Sequence, residues 1–368
     1  MQPSLIRRSL LGAGLLGAGA FFSKLLPMAA FAQAHKVESA PSFPHSQMRT
    51  NPSAPVHSGS MIVGDVDNTR NSFDPRAILT NWDAGQVSKL PNGQTLRNYQ
   101  ITVEERDIEI APGVFYPAWT YNGRVPGPTL RVTEGDLVRI RFANRSNHPH
   151  TIHFHGIHTA RQDGVPGTIE AFPSQEVIYE FEAKPFGCHL YHCHSAPFKR
   201  HLHKGLYGAF IIDPDPTRHP NPEKVAQSRL LGSSENAQWQ EFLMVLNGFD
   251  TNFDEENDFY AVNTIPHEFM KRPIRIERDR PVRIYLINVT EFDPINSFHL
   301  HANFFDYFDH GTTLTPTLPT VDTVMLCQAQ RGILEFSFQD HEPGVYMFHA
   351  HQSEFLELGW MSAFEVVA

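Results

Sequence analysis

An all-β fold of two tandem Greek-key β-sandwiches is the architecture this sequence predicts, on three observations. Short alternating apolar stretches are broken by 28 Pro and 24 Gly, and no convincing long amphipathic helix interrupts them. With 41% apolar residues in 368, the chain can fill two ordinary cores. The second half also repeats the first. Gly187-Cys188-His189-Leu190-Tyr191-His192-Cys193-His194 matches Gly344-Val345-Tyr346-Met347-Phe348-His349-Ala350-His351. Upstream, the strand from Val138 to Asn144 leads to His153-Phe154-His155, as the strand from Val282 to Asn288 leads to His299-Leu300-His301, a period of roughly 150 residues.

Taken in order, residues 1–34 read as a targeting segment: Arg7-Arg8 precede the apolar run Leu10 to Phe22, and Ala30-Phe31-Ala32 and Ala32-Gln33-Ala34 offer small-residue cleavage sites. The twin arginine suggests export of an already folded protein to a periplasmic or secreted location. An N-terminal extension of 35–95 follows, loose and rich in Pro and Ser to about 60, then able to add a strand or arm to the first domain. The first sandwich is expected over 96–213, a linker opening with Asp213-Pro214-Asp215-Pro216 over 214–238, and the second sandwich over 239–368. No later segment is long and apolar enough to span a bilayer once the signal is removed.

The net charge of −10 becomes −13 without residues 1–34, which carry Arg7, Arg8 and Lys24 and no acid, leaving 27 bases against 40 acids. Nucleic acid is excluded as a partner on that balance. The acidic run Asp254 to Asp258 reads as a solvated loop.

Histidine placement carries the chemistry. The 21 histidines form six His-x-His pairs, 148/150, 153/155, 192/194, 201/203, 299/301 and 349/351, where random placement gives roughly one. Isolated His45, His57, His219 and His267 read as surface residues, and His148, His158 and His189 as non-ligands. In His192-Cys193-His194, strand alternation sends the two imidazoles one way and the sulfur the other. One thiolate can then hold one metal while its neighbours hold others. Three cysteines in an exported chain cannot all pair, so Cys193 is assigned to metal and Cys188 and Cys327 to buried inert thiols. In the second copy Ala350 replaces Cys193 and Asn296 replaces His150, so each chain has one thiolate site.

These residues, with Tyr121-Asn122-Gly123-Arg124-Val125-Pro126-Gly127-Pro128 and Thr133-Glu134-Gly135-Asp136, resemble the multicopper oxidase family over about 96–368. The likeness is to its two-domain, laccase-like members with the blue copper in the first domain. It implies two cupredoxin-like domains and about four coppers per chain: one type 1, one type 2 and a type 3 pair. It assigns His150, Cys193 and His201 to the type 1 copper, with His203 as the alternative to His201. It assigns His153 and His299 to the type 2 copper, and His155, His192, His194, His301, His349 and His351 to the type 3 pair. Leu206, five residues after His201, stands where an axial methionine is usual. The resemblance also implies a homotrimer, closed so that the two histidine quartets meet between subunits.

The function these features imply is one-electron oxidation of a small-molecule donor, phenol-like or a metal ion, coupled to four-electron reduction of dioxygen to water. Glu354 and Asp163 are candidate proton donors. The competing readings are a copper-containing nitrite reductase, whose ligand cysteine is not followed by a second ligand histidine, and a non-catalytic blue-copper electron carrier or copper-binding protein.

Overall fold

The computed structural model describes residues 64–220 and 239–368. The signal of 1–34, the expected loose segment with His45 and His57, and residues 221–238 of the linker lie outside the described residues.

The all-β expectation holds. In the first sandwich one sheet runs β1 (Trp82–Asp83), β5 (Thr129–Thr133), β10 (Tyr207–Asp213), β9 (Gly187–His192) and β7 (His153–Phe154). The facing sheet runs β2 (Gln86–Lys89), β3 (Thr95–Ala111), β6 (Leu137–Asn144) and β8 (Glu176–Glu182), with β4 (Val114–Tyr121) paired to β3. The second sandwich pairs β12 (Phe259–Val262), β11 (Gln240–Phe249), β14 (Val282–Asn288), β19 (Arg331–Phe336), β16 (Phe305–Asp309) and β17 (Leu318–Val321). Its facing sheet pairs β13 (Ile274–Glu277), β21 (Met361–Val367), β20 (Gly344–His349), β15 (Ile295–Leu300) and β18 (Thr323–Cys327). Among the described residues there are five short α-helices, α1 (Asn68–Asn71) and α2 (Pro75–Ile78) before the first strand, and α3 (Phe198–His203), α4 (Glu268–Lys271) and α5 (Ser353–Glu357) between strands.

Strand periodicity places the chemistry. Every residue of β9 is buried, because both faces of the strand are covered. Cys188 and Leu190 face outward into a core shared with Leu243, Val245, Tyr285 and Ile287 of the second sandwich, whereas Tyr191 and Cys193 face the first sandwich's own core. That period of two keeps the inert thiol and the candidate ligand apart. Each buried aliphatic side chain in the shared core contributes about 1.5–3 kcal/mol.

Beneath that core lies a buried ion network. Arg131 grips Asp213 with two bonds (2.9 and 3.0 Å) and reaches Glu241 at 2.8 Å, and Arg283 joins Glu241 (2.9 Å) to Glu335 (2.8 Å). The segment before β3 forms an arm. Asn71 exchanges two 2.8 Å bonds with the Glu109 backbone, Arg76 donates to the Arg272 carbonyl (2.8 Å), and Leu79 accepts from Leu243 N–H (2.8 Å). The arm thereby spans both sandwiches.

Three expectations need correction. Cys327 is exposed, because β18 is an edge strand on which only Val324 and Leu326 turn inward. The run Val321 to Leu326, which reads in the sequence as one apolar strand, is split between two strands broken at Asp322. His267 is buried, 1% exposed, where it precedes α4 and its N–H donates to the Gly359 carbonyl at 2.9 Å.

Candidate metal centres

The first centre is built on β9 and two loops. Cys193 follows β9, its N–H held by the Leu206 carbonyl at 3.0 Å. His150 sits on a bridge to Ala171, and Asn144 fixes that loop by donating to the His148 and Ala171 carbonyls (2.7 and 2.8 Å). His201 comes from α3. The Cys193 Sγ lies 3.2 Å from His201 Nδ1 and 3.7 Å from His150 Nδ1, and the two Nδ1 atoms are 3.1 Å apart. All three side chains are buried. His203, two residues along the same helix, turns the other way: its Nδ1 lies 2.9 Å from the Tyr116 hydroxyl. Helical residues two apart project to different faces, which is why only one of the pair reaches the sulfur.

Burial holds His150 down to about 3 and His201 to about 4, so both imidazoles are neutral donors near pH 7. Burial pushes the Cys193 thiol up, opposed by the N–H of Thr151 aimed at its sulfur from 3.4 Å. His150 Nε2 is buried without a hydrogen-bond partner. A dry pocket with one sulfur and two neutral nitrogens, and no acid or water-facing edge, fits a soft cation such as copper. Leu206, 0% exposed, packs in the same cluster as Cys193 and offers no lone pair.

The second centre gathers His153, His155 and His192, whose ligand atoms lie within 4.8 Å of one another. His155 Nε2 is 3.1 Å from His192 Nε2, and the His194 ring lies 5.5 Å from that of His153. Burial lowers His155 to about 2 and His192 to about 3. Backbone carbonyls choose the tautomers. His153 Nδ1 donates to the Asp163 carbonyl (2.7 Å) and His192 Nδ1 to that of Cys193 (3.0 Å), which leaves each Nε2 with a free lone pair.

The second sandwich repeats this arrangement with His299, His301 and His349. His301 Nε2 is 2.7 Å from His349 Nε2. His299 Nδ1 donates to the Asp322 carbonyl (3.0 Å) and His349 Nδ1 to that of Ala350 (2.6 Å). The His351 ring lies 5.3 Å from that of His299. Even the turns match, since the Thr151 hydroxyl accepts from His194 N–H and the Ser297 hydroxyl from His351 N–H, both at 2.8 Å. Among the described residues no ring contact joins the quartet of one sandwich to that of the other.

Where the first sandwich has its sulfur site, the second has a filled core. Ala350 N–H bonds the Trp360 carbonyl (3.2 Å) as Cys193 bonds Leu206, and Trp360 N–H bonds Phe355 (2.8 Å) as Leu206 bonds His201 (3.3 Å). Trp360, 0% exposed, therefore takes the place of Leu206, and its indole N–H donates to Asn296, the counterpart of His150 (3.1 Å).

The proton-donor candidates part company. Asp163 contacts His153 Nδ1 through its carboxylate (3.2 Å) as well as its carbonyl. Glu354 is exposed on α5. His148 lies against Trp119, and His189 is a buried core residue bonded to the Pro185 carbonyl (2.9 Å). His158 lies within reach of His153 and Asp163 but bonds the Phe154 carbonyl (2.9 Å). Sequence reasoning missed Trp119, whose ring meets the edges of both His150 (5.2 Å) and His201 (4.8 Å). It also missed Thr151 and Asp322, because neither hydroxyl nor carbonyl leaves a spacing signal.

Two family models, each described as multicopper oxidase, match residues 102–217 and 239–368. A crystal structure of a multicopper oxidase is 48% identical, with a TM-score of 0.75, covering 82% of this chain and 100% of that one. The copper-containing nitrite reductase of Neisseria meningitidis is 37% identical over 112 residues, 30% of this chain and 28% of that protein. Laccase-2 of Botryotinia fuckeliana is 33% identical over 169 residues, 44% of this chain and 28% of that protein. The chain thus matches less than a third of the length of these two relatives. With both sandwiches matched and the donor sets in place, the chain belongs to the multicopper oxidase family, as a two-domain, cupredoxin-like member.

Proposed function

We propose that the protein is a laccase-like oxidase that removes single electrons from a small-molecule or metal-ion donor and reduces dioxygen to two waters. One observation carries this reading: Cys193 belongs to a sulfur site with His150 and His201, while its neighbours His192 and His194 belong to the imidazole set of His153 and His155. One peptide therefore links two donor sets. Bound copper would supply one-electron redox at the first set and dioxygen binding and reduction at the imidazole sets, about four ions in all.

The chain's own residues have distinct tasks. His150, Cys193 and His201 would hold the type 1 ion in a dry pocket, and Thr151 N–H would support the thiolate. His153 and His299 would serve the type 2 ion, with His155, His192, His194, His301, His349 and His351 for the type 3 pair. Asp163, through its contact with His153, would pass protons to that site, and Glu354 would do so from the second sandwich.

Completion of the imidazole site by a neighbouring copy, in a closed homotrimer, follows the repeat. The outer face of β9 is covered by the second sandwich, but the equivalent position on β20, Val345, is 50% exposed, and Met325 on the edge strand is 68% exposed. A second copy would cover that face and bring opposite quartets together. Export through a twin-arginine-type signal to the periplasm or beyond accords with this reading. No helix among the described residues is long and apolar enough to cross a membrane.

Nitrite reduction is the rival. His194 and the complete set in the second sandwich favour dioxygen. The test is to load the protein with copper and measure dioxygen uptake with a ferrocene donor, nitrite consumption, copper content and the near-ultraviolet band of a bridged pair. Nitrite consumption without dioxygen uptake overturns the proposal, and a blue protein with neither activity identifies an electron carrier.

A further inference from the structure

The two histidine quartets differ in how their last member is held. Among the described residues the His194 ring makes no hydrogen bond to a protein group. Its neighbours are the rings of His153 (5.5 Å), His192 (5.8 Å) and Phe198. The Phe198 ring lies 4.5 Å from that of His194, centroid to centroid, at an interplanar angle of 32°, and stands at 61° to the His192 ring, 5.6 Å away. Both are ordinary geometries for attractive ring pairs. In the second sandwich His351 keeps the equivalent backbone bond and imidazole neighbours, His299 and His349, but among the described residues no phenyl or indole ring stands over it. His351 is exposed, whereas His194 is half-buried.

The difference lies in the chain between quartet and helix. Six residues, 195–200, separate His194 from His201, but only three, 352–354, separate His351 from Phe355, which takes the place of His201. The longer turn lets α3 open on Phe198, where α5 opens on Ser353 after Gln352. Ser195, 1% exposed, pins that turn by donating to the Glu170 carboxylate at 2.8 Å, and Lys199 pairs with Glu255 at 2.5 Å. Phe198 and His201 are three residues apart and so are neighbours on one helical face. One short helix thus lays a ring on the imidazole set and a ligand nitrogen on the sulfur set. Phe198 is still 40% exposed, so core packing alone does not account for a phenylalanine at this place.

We propose that Phe198 is a positioning residue for the imidazole site: its ring fixes the planes of His194 and His192 and ties them, through α3, to the sulfur-site ligand His201. An imidazole without a hydrogen bond turns freely between its rotamers, and a stacked ring restricts that turning before a metal arrives. Ligands held in this way lose less freedom on binding, so they retain the metal more tightly. The role rests on the oxidase reading above, in which these two imidazoles serve the type 3 pair.

The test is copper retention by the copper-loaded full chain during dialysis against a chelator, with the near-ultraviolet band of the bridged pair and the blue band read on the same samples. The variants are Phe198→Ala, Phe198→Leu and Phe198→Tyr. A ring contact of this kind supports roughly a fivefold difference in affinity. Phe198→Ala and Phe198→Leu should therefore release copper from the imidazole set at a roughly fivefold lower chelator concentration. They should lose the near-ultraviolet band first, with the blue band per chain unchanged. Phe198→Tyr keeps the ring and should match the parent protein. Unchanged retention in Phe198→Ala overturns the proposal. So does Phe198→Leu behaving like Phe198→Tyr, because bulk and not a stacked ring would then be what matters. Loss of the blue band in step with the near-ultraviolet one also overturns it, since that marks disruption of α3 as a whole. A parent protein that binds copper at the imidazoles but takes up no dioxygen overturns the oxidase reading, while the retention series still decides the role of Phe198.

Discussion

Leu206 and Cys193 are locked to each other: the Cys193 N–H donates to the Leu206 carbonyl at 3.0 Å, and both side chains are 0% exposed in one apolar cluster. A hydrocarbon thus packs in the cluster of the sulfur site, at the residue where the family resemblance would lead one to expect a methionine. Leu206→Met would put a thioether there with almost no change in volume, at a stability cost below about 1.5 kcal/mol. Axial donation favours the cupric form, so the midpoint potential of the copper-loaded variant should fall. A redox titration that shows no change, or a rise, would remove Leu206 from this role.

Cys193→Ser tests the link between the two donor sets. Serine keeps the size but not the soft sulfur, so the blue absorption should vanish and donor oxidation drop to background. Copper content should fall by about one ion per chain, because the imidazole sets do not use this side chain. Retained blue colour would place the thiolate at Cys188 or Cys327 instead.

The repeat and four of the His-x-His pairs, 153/155, 192/194, 299/301 and 349/351, were legible because a strand writes its geometry into sequence with a period of two, and each of these four falls at a strand end. His201 and His203 were not separable by that rule, because they lie on α3, where the period changes. The exposure of Cys327 depends on β18 being an edge, which is a property of strand order and leaves no local mark. The arm of residues 64–83 was readable only as a possible strand or arm on the first domain. Its hold on both sandwiches uses backbone groups, the Leu79, Glu109 and Arg272 carbonyls among them, that carry no residue preference.

Glu241 is the central acid of the network between the sandwiches, touching Arg131, Arg283 and Tyr285. Burial alone would raise its carboxyl, but the two guanidinium groups hold it down to about 2. A depressed carboxylate stabilises the fold above the unfolded value, near the 4.5 of a free glutamate. That contribution is lost as pH falls from there toward about 2. Buried Asp213 is shifted upward by its burial and opposes part of this slope. Glu241→Gln leaves two buried cations short of charge, so it should destabilise by about 3–5 kcal/mol at neutral pH. Denaturant titrations at several pH values should show a shallower acid slope in the variant, and an unchanged slope would mean the network carries no net stabilisation.

Trp360 shows why the second sandwich cannot be turned into a sulfur site by restoring ligands alone. Its indole fills the volume equivalent to that of Leu206 and donates to Asn296. Asn296→His with Ala350→Cys and Phe355→His would therefore replace the three missing donors while the indole still occupied their meeting point. That triple variant should gain no second blue centre. Trp360→Ala alone should cost about 3–5 kcal/mol from the cavity it opens, while the Asn296 side-chain carbonyl keeps the Ser297 N–H as its donor at 2.8 Å. Only Trp360→Leu combined with the three ligand changes should give added blue absorption and one more copper per chain. If the triple variant turns blue while Trp360 remains, steric occupation is not what closed this site, and loss of the ligands alone accounts for it.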